Sequence, residues 1–334
     1  MTKTFIIAEV GINHNANLDI AYELIDAATK AGADAIKFQT AIPELVATNL
    51  AQKANYQKKT SVPEESQIEL IRRIHFPLDV YQGLKLECER RGIIFFSSAF
   101  DLVSLTFLEN LGQLFHKIPS GEITNLPYLR EIAHYKKPIF LSTGMSTMKE
   151  IETAISVLEK GGMPRKKITV MHCNTEYPTP MIDVNLLAMR TIGEVFDIAV
   201  GYSDHTEGVE VSIAAVALGA CTIEKHLTLD RNLPGPDHKA SIEPQQFEIM
   251  VNSIRNIENA LGNTTKQPSP SELQNIMICR RSIVAASPIK AGEEFTSKNI
   301  IAKRPGNGLS PMLWDDVIGK KASRNFDTDE LIDI

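Results

Sequence analysis

Cysteine is scarce in this chain, with four in 334 residues and none in a Cys-x-x-Cys pair. Cys88, Cys173, Cys221 and Cys279 lie in apolar or helical surroundings, which argues against a disulfide framework and predicts reduced core thiols. Positive charge is also short. At a formal net charge of −6, the chain lacks the basic surface on which binding to nucleic acid or an anionic membrane depends. Any anion it binds must be held by a local cluster of donors. No apolar run nears the roughly 18 residues that cross a bilayer. The amino-terminal Met1-Thr-Lys-Thr-Phe-Ile-Ile-Ala enters a strand at once, without the marks of a signal peptide, so a soluble cytoplasmic protein is expected.

Core material is present in quantity. With 43% hydrophobic and 23% charged residues the chain reads as an ordinary globular protein, and its length calls for a large barrel or two domains. Strand, polar tip and helix then recur along the chain. Strands are expected at 5–8, 35–40, 93–96, 114–119, 138–141, 168–174, 197–202 and 221–223, and helices at 18–30, 78–91 and 244–261. Residues 41–65 form a long polar connection, in which Ser61-Val-Pro-Glu64 reads as a capping box where helix resumes; Thr147-Met-Lys-Glu150 caps another. Eight such units in about 260 residues fit a (β/α)₈ TIM barrel. The continuous apolar runs fit strands buried on both faces. A doubly wound open sheet is the alternative.

Nearly every strand ends in residues able to do chemistry: Glu9, Lys37, Gln39, Ser98, Lys117, Glu122, Ser142, Asn174, His205 and His226. In a barrel these tips converge at the carboxyl-end rim. Two of them organise the rest. His205 closes Gly201-Tyr-Ser-Asp-His and His226 closes Glu224-Lys-His, 21 positions later (226 − 205), a spacing that fits strand, short helix, strand. Side chains two apart in a strand share a face, so Ser203 points with His205 and Glu224 with His226. One histidine on an apolar strand is ordinarily a hydrogen-bonded core residue, whereas two at matched strand ends can share a cation. The two histidines supply neutral nitrogen donors but no thiolate, and Asp237 in Gly235-Pro-Asp-His is a nearby hard oxygen. That mixture suits Mn²⁺ or Mg²⁺ with retained waters better than closed structural zinc, although imidazole also suits zinc.

Lys37 and Lys117 would place two fixed positive charges in the cleft of an acidic protein, and Ser98, Ser120, Ser142 and Ser203 add hydroxyls. Such a ring suits a small ligand bearing both phosphate and carboxylate. Glu9 and Glu122 are placed for acid–base work or for holding a developing cation. His172 reads as core and His238 is left open. Domain 1–262 ends at the helix-stop Gly262; 263–281, rich in Ser, Thr, Pro, Gln and Asn, reads as a linker with one helical turn. The remainder, 282–334, has short strands and a small helix at 311–317. About 50 residues make a marginal core, so docking on a barrel or a second chain is expected.

Ala8-Glu-Val-Gly-Ile-Asn-His-Asn, Lys37-Phe-Gln-Thr, Lys117-Ile-Pro-Ser-Gly-Glu, Ser142-Thr-Gly-Met, Tyr177-Pro-Thr-Pro, Gly201-Tyr-Ser-Asp-His, Glu224-Lys-His, Gly235-Pro-Asp-His and Lys303-Arg-Pro-Gly-Asn-Gly occur in that order. Together they closely resemble the bacterial sialic acid (nonulosonic acid) synthases, essentially end to end. The resemblance implies a TIM barrel followed by an antifreeze-like (SAF) domain, swapped in a homodimer so that the small domain covers the partner's site. It implies condensation of phosphoenolpyruvate with an open-chain N-acetylated mannosamine, in the presence of Mn²⁺, Mg²⁺ or Co²⁺. The first expectation is an N-acetylneuraminate synthase; the alternative is an N,N'-diacetyllegionaminate synthase acting on 2,4-diacetamido-2,4,6-trideoxymannose.

Carried over residue by residue, the resemblance makes His205 and His226 the metal ligands. Lys37, Ser98, Lys117, Ser120, Ser142 and Ser203 would hold phosphoenolpyruvate, with Lys117, Glu9 and Glu122 catalytic. Glu122 would stabilise the oxocarbenium-like centre and position its attacking water. Glu9, Gln39, Tyr177 and Asp237 would contact the sugar, and Arg304 of the other chain its N-acyl group. Ser97-Ser98-Ala-Phe stands where the family often has Ser-Thr-Pro-Phe, which keeps a hydroxyl at 98 and alters the turn. Two rivals are a Schiff-base aldolase using Lys117 or Lys225 and a non-catalytic sugar-binding protein.

Overall fold

The structure, a computed structural model, describes residues 3–54, 57–58 and 65–334. Those residues divide between Gly262 and Asn263 into two compact units. In the first, eight parallel strands close into a barrel in sequence order, β1 (Phe5–Gly11), β2 (Ala35–Thr40), β3 (Ile94–Ala99), β4 (His116–Ile118), β5 (Ile139–Ser142), β6 (Ile168–Cys173), β7 (Ala199–Asp204) and β8 (Thr222–His226), with β8 returning to β1. The open sheet is thereby excluded. Each strand is a short apolar run because both its faces are covered. Ile7, Ala35, Phe96, Phe140 and Met171 fill the barrel interior, and the helices pack larger apolar clusters around the outside.

Helix α1 (Leu18–Lys30) illustrates how local sequence places these elements. Asn17 accepts from the backbone N–H groups of Asp19 and Ile20, capping the first turn, and Lys30 sits in the last turn beside the free carbonyls. Ala21, Leu24, Ile25 and Ala28 recur at three- and four-residue spacing and are buried. Burying Leu24 alone contributes roughly 1.5–3 kcal/mol of transfer free energy. The Thr147–Glu150 box does cap the helix Met148–Lys160.

The connection after β2 holds more structure than expected. A short helix, α2 (Pro43–Val46), follows the strand, and a second, α3 (Gln67–Ile74), begins at Ser66, whose side chain forms a capping box with Glu69. The box expected at Ser61–Glu64 lies outside the described residues. No helix among the described residues is long and apolar enough to cross a membrane.

In the second unit the expected linker carries a ten-residue helix, Pro270–Cys279, in place of one turn. Its composition looked irregular, yet Ser269 and Glu272 form a capping box and Pro270 takes the first helical position, where no N–H is needed. Cys279 is exposed there, so it is not a core thiol; all four cysteines are free. An antiparallel pair, β9 (Ser282–Ala285) and β10 (Ile300–Lys303), closes a small core of Ile283, Ile289, Phe295, Ile300, Val317, Phe326 and Ile332. Arg324 lies 4.2 Å above the Phe326 ring and adds a cation–π contact.

Candidate active site

Barrel register decides which tips meet. Glu9 pairs with Lys37 on one side and His226 on the other, Ser98 with Lys117, and Ser203 with Glu224. These side chains open into a cavity of about 540 Å³ at the carboxyl ends of the strands. Glu9, Lys37, Gln39, Ser98, Lys117, Ser120 and Ser142 line it, as do Tyr177, Ser203, His205, His226 and Asp237.

Both lysines are tied to carboxylates. Lys117 Nζ lies 2.7 and 2.8 Å from the two oxygens of Glu224, which also accepts from Ser203 Oγ at 2.9 Å. Lys37 Nζ ion-pairs with Glu9 at 2.7 Å, donates to Ser98 Oγ at 3.0 Å and stands 3.8 Å from Glu224. The expected pair of fixed positive charges is present as part of a four-membered set of two ammoniums and two carboxylates. An ammonium this deep would be strongly disfavoured without a counter-charge. Glu224 was not singled out as a site residue from sequence. Its only signal was a position two before His226, on the same face.

The set has a definite polarity. Burial pushes the Glu224 carboxyl up, but Lys117 and Lys37 outweigh it and hold the group well below the usual range. Glu9, with one lysine only, is pushed up by burial. Burial lowers Lys117, whereas in Lys37 the opposing burial is outweighed by Glu224 and Glu9 and the ammonium is held up. Asp237, buried near Glu9, rises to about 7. Gln39 Nε2 donates to Glu9 Oε1 at 2.9 Å, over Gly11, where φ is +49° and a Cβ would lie 2.8 Å from that same oxygen.

The two histidine rings lie 5.4 Å apart, centroid to centroid. Tyr177 stacks on His205 at 4.1 Å and meets His226 edge-on at 5.5 Å. His205 Nδ1 is bonded to the Asn174 carbonyl, which leaves Nε2 as the lone-pair nitrogen facing Tyr177 Oη at 3.0 Å. His226 Nδ1 is buried with no hydrogen-bond partner among the described residues. Burial lowers His205 to about 4 and, helped by His205, takes His226 well below its ordinary value, so both rings are neutral near pH 7.

An orphaned imidazole nitrogen beside a second one whose tautomer is fixed through the backbone is a donor set that fits a divalent cation. It fits an open site only. Among the described residues no three His, Cys, Asp or Glu side chains are arranged to hold a metal ion between them, so Asp237 does not join the histidines as the expected hard oxygen, and the Tyr177 hydroxyl would have to leave His205.

Three expected residues stand elsewhere. Glu122 closes a 3₁₀ turn, accepts from Asn125 Nδ2 at 2.5 Å, and is not part of the cavity wall. Lys225 is fully buried and held by Asp204 at 3.0 Å and the Thr206 carbonyl at 2.6 Å, away from the cavity. Arg304 belongs to the second unit. Of the other histidines, His172 is half-buried against the Val184 and Asn185 carbonyls, and His238 is buried on Thr228 and Asn15.

The closed barrel, its rim chemistry and the small second unit define an enzyme of the sialic, or nonulosonic, acid synthase class. The NeuB family matches residues 24–266 and the SAF domain residues 280–333. The chain belongs to the NeuB family. It is 49% identical to the N,N'-diacetyllegionaminic acid synthase of Campylobacter jejuni, over 99% of both chains. It is 41% identical to the enzyme of that name from Legionella pneumophila, over 96% of this chain and 91% of the other. It also superimposes, at a TM-score of 0.71 and 34% identity, on the crystal structure of N-acetylneuraminic acid synthetase from Leptospira borgpetersenii in complex with citrate, over 82% of this chain and 90% of that one.

Proposed function

We propose that the chain condenses phosphoenolpyruvate with open-chain 2,4-diacetamido-2,4,6-trideoxymannose, forming N,N'-diacetyllegionaminate and releasing phosphate. The carrying observation is that the Lys37–Glu9 and Lys117–Glu224 pairs and the His205–His226 pair face one cavity at the barrel's carboxyl end. The first expectation, N-acetylmannosamine as acceptor, becomes the second reading. The full-length likeness to two enzymes named for diacetyllegionaminic acid supports its alternative better.

In this reading Lys37, Lys117 and the hydroxyls of Ser98, Ser120, Ser142 and Ser203 hold the donor's phosphate and carboxylate. Each ammonium has three N–H groups, so it can keep its carboxylate and still meet an anion. C3 of phosphoenolpyruvate forms a bond to the sugar's aldehyde carbon, the aldehyde oxygen takes a proton, and positive charge develops at C2. Asp237, half-protonated near pH 7, is suited to give that proton. Water then adds at C2 and gives one proton to the carboxylate left at Asp237; the new C2 hydroxyl becomes the keto group as the C2–O bond to phosphate breaks, its proton leaving with the phosphate. Glu224 lies nearest the lysine pair and offers negative charge to C2; Glu122 could assist only if its turn rotates inward. Glu9, Gln39 and Tyr177 would orient the sugar. His205 and His226 would hold Mn²⁺, Mg²⁺ or Co²⁺, which when bound supplies Lewis-acid polarisation of the aldehyde. The SAF unit would be exchanged in a homodimer and bring Arg304 to the partner's site.

Phosphate release from phosphoenolpyruvate with Mn²⁺ and each acylated mannosamine tests the reaction. Background rates with every sugar would overturn it and favour a binding protein. Burial lowers Lys117, as a Schiff-base lysine requires. Inactivation by borohydride with pyruvate would therefore favour the aldolase.

A further inference from the structure

The cavity has a second wall whose chemistry is opposite to that of the rim. Leu70, Ile71 and Ile74 of α3 face it together with Ile12, which follows β1, and Val46 of α2. Leu70, Ile74 and Ile12 form one buried cluster. Within this apolar surface stand two polar atoms with no partner among the described residues, Gln67 Oε1 and His75 Nε2, and both residues line the cavity. His75 Nδ1 is bonded to the Ile71 carbonyl at 2.9 Å, so it carries the proton and Nε2 is an acceptor. Burial lowers His75 to about 4, which keeps the ring neutral. The wall thus offers methyl-sized apolar contact and two unfilled acceptors.

Those features select between acceptor sugars. An amide N–H flanked by methyl groups fills an acceptor and leaves nothing polar against the isoleucines. A tail of free hydroxyls brings several donors and acceptors to a surface able to satisfy only two of them. Each polar group left unpaired there loses its hydrogen bonds to water without replacement and weakens binding. We infer that the α3 wall is the specificity subsite for the far end of the acceptor, taking a second acylamino group and a terminal methyl in preference to free hydroxyls. This rests on the function proposed above and adds the residues that would choose the sugar.

The test compares kcat/KM for 2,4-diacetamido-2,4,6-trideoxymannose and N-acetylmannosamine at saturating phosphoenolpyruvate and Mn²⁺. It uses the full-length chain and its Ile71→Asn and Gln67→Leu variants. The wild type is expected to prefer the diacetamido sugar. Ile71→Asn should reduce that preference about 10- to 200-fold, chiefly through the sugar's KM, with the KM for phosphoenolpyruvate close to wild type in a variant that still folds, at a lowered unfolding temperature. Gln67→Leu should weaken the diacetamido sugar alone. Turnover with an unchanged ratio in both folded variants would overturn this assignment and leave the reaction standing. No turnover with either sugar would remove the reaction and this assignment with it.

Discussion

Lys117 and Glu224 meet in the barrel mouth through two short contacts, 2.7 and 2.8 Å, although 107 positions separate them in the chain. Removing the carboxylate leaves two buried ammoniums sharing Glu9. Glu224→Gln should therefore lower stability by about 3–5 kcal/mol. Phosphoenolpyruvate should raise the variant's unfolding midpoint more than that of the wild type, because it restores the missing negative charge. Thermal unfolding with and without the donor measures both effects; equal shifts would show that the donor does not approach these lysines.

Asp237 gives a pH signature. Its folded value, about 7, lies above that of an unfolded aspartate, so its favourable contribution is complete near pH 4 and is lost as pH rises through 7. Asp237→Asn removes that loss. At pH 8 the variant should be more stable than wild type by about 2–4 kcal/mol, with the difference vanishing near pH 4. Urea titrations at the two pH values decide this. In turnover the variant should lose kcat far more than it changes the KM for the donor.

His205→Ala should abolish Mn²⁺-dependent turnover while the barrel stays folded. Electron paramagnetic resonance of Mn²⁺ gives a readout independent of activity. The loss in affinity should exceed the tenfold to hundredfold typical of removing a supporting contact. Retention of wild-type Mn²⁺ binding would remove the histidine pair as a metal site.

Arg304 and His205 belong to different units of the chain. If the small unit is exchanged between subunits, mixing Arg304→Ala with His205→Ala chains should restore one working site per mixed dimer, roughly a quarter of wild-type activity when chains pair at random. No recovery after verified exchange would place the whole site within one chain.

Gly11→Ala should disturb the Glu9–Gln39 hydrogen bond by pressing on the Glu9 carboxylate and the Gln39 amide while leaving both residues in place. The added methyl would lie 2.8 Å from Glu9 Oε1 and 2.9 Å from Gln39 Nε2, at a φ of +49°. A stability loss of about 1–2 kcal/mol is expected from the backbone alone, with a higher KM for the sugar. Calorimetry and steady-state kinetics separate the two.

Much of this architecture was legible in the sequence because parallel strands buried on both faces are unbroken apolar runs, each ending in a polar tip. The helices Leu18–Lys30 and Pro244–Leu261 fell where periodicity and, for the second, Gly262 placed them. Pairing across the barrel was not legible. Nothing near Lys117 in the chain announces Glu224, and a motif that brings Glu122 next to Ser120 does not reveal that the 3₁₀ turn points its carboxylate at Asn125. The helix Pro270–Cys279 was hidden by its Ser- and Pro-rich entrance, because composition averages away a single well-placed cap.

The formal charges of Lys37, Lys117, Glu9 and Glu224 sum to nothing. By itself, then, the cleft has no long-range pull on chloride, sulfate or other simple anions. A trianionic donor gains most there when a cation arrives with it, and such coupling is reciprocal: whatever tightens the hold on one tightens the hold on the other. Loading together with a cation that offsets most of its charge, not attraction by a standing positive field, is how an acidic barrel of this design would distinguish its donor from the small anions around it.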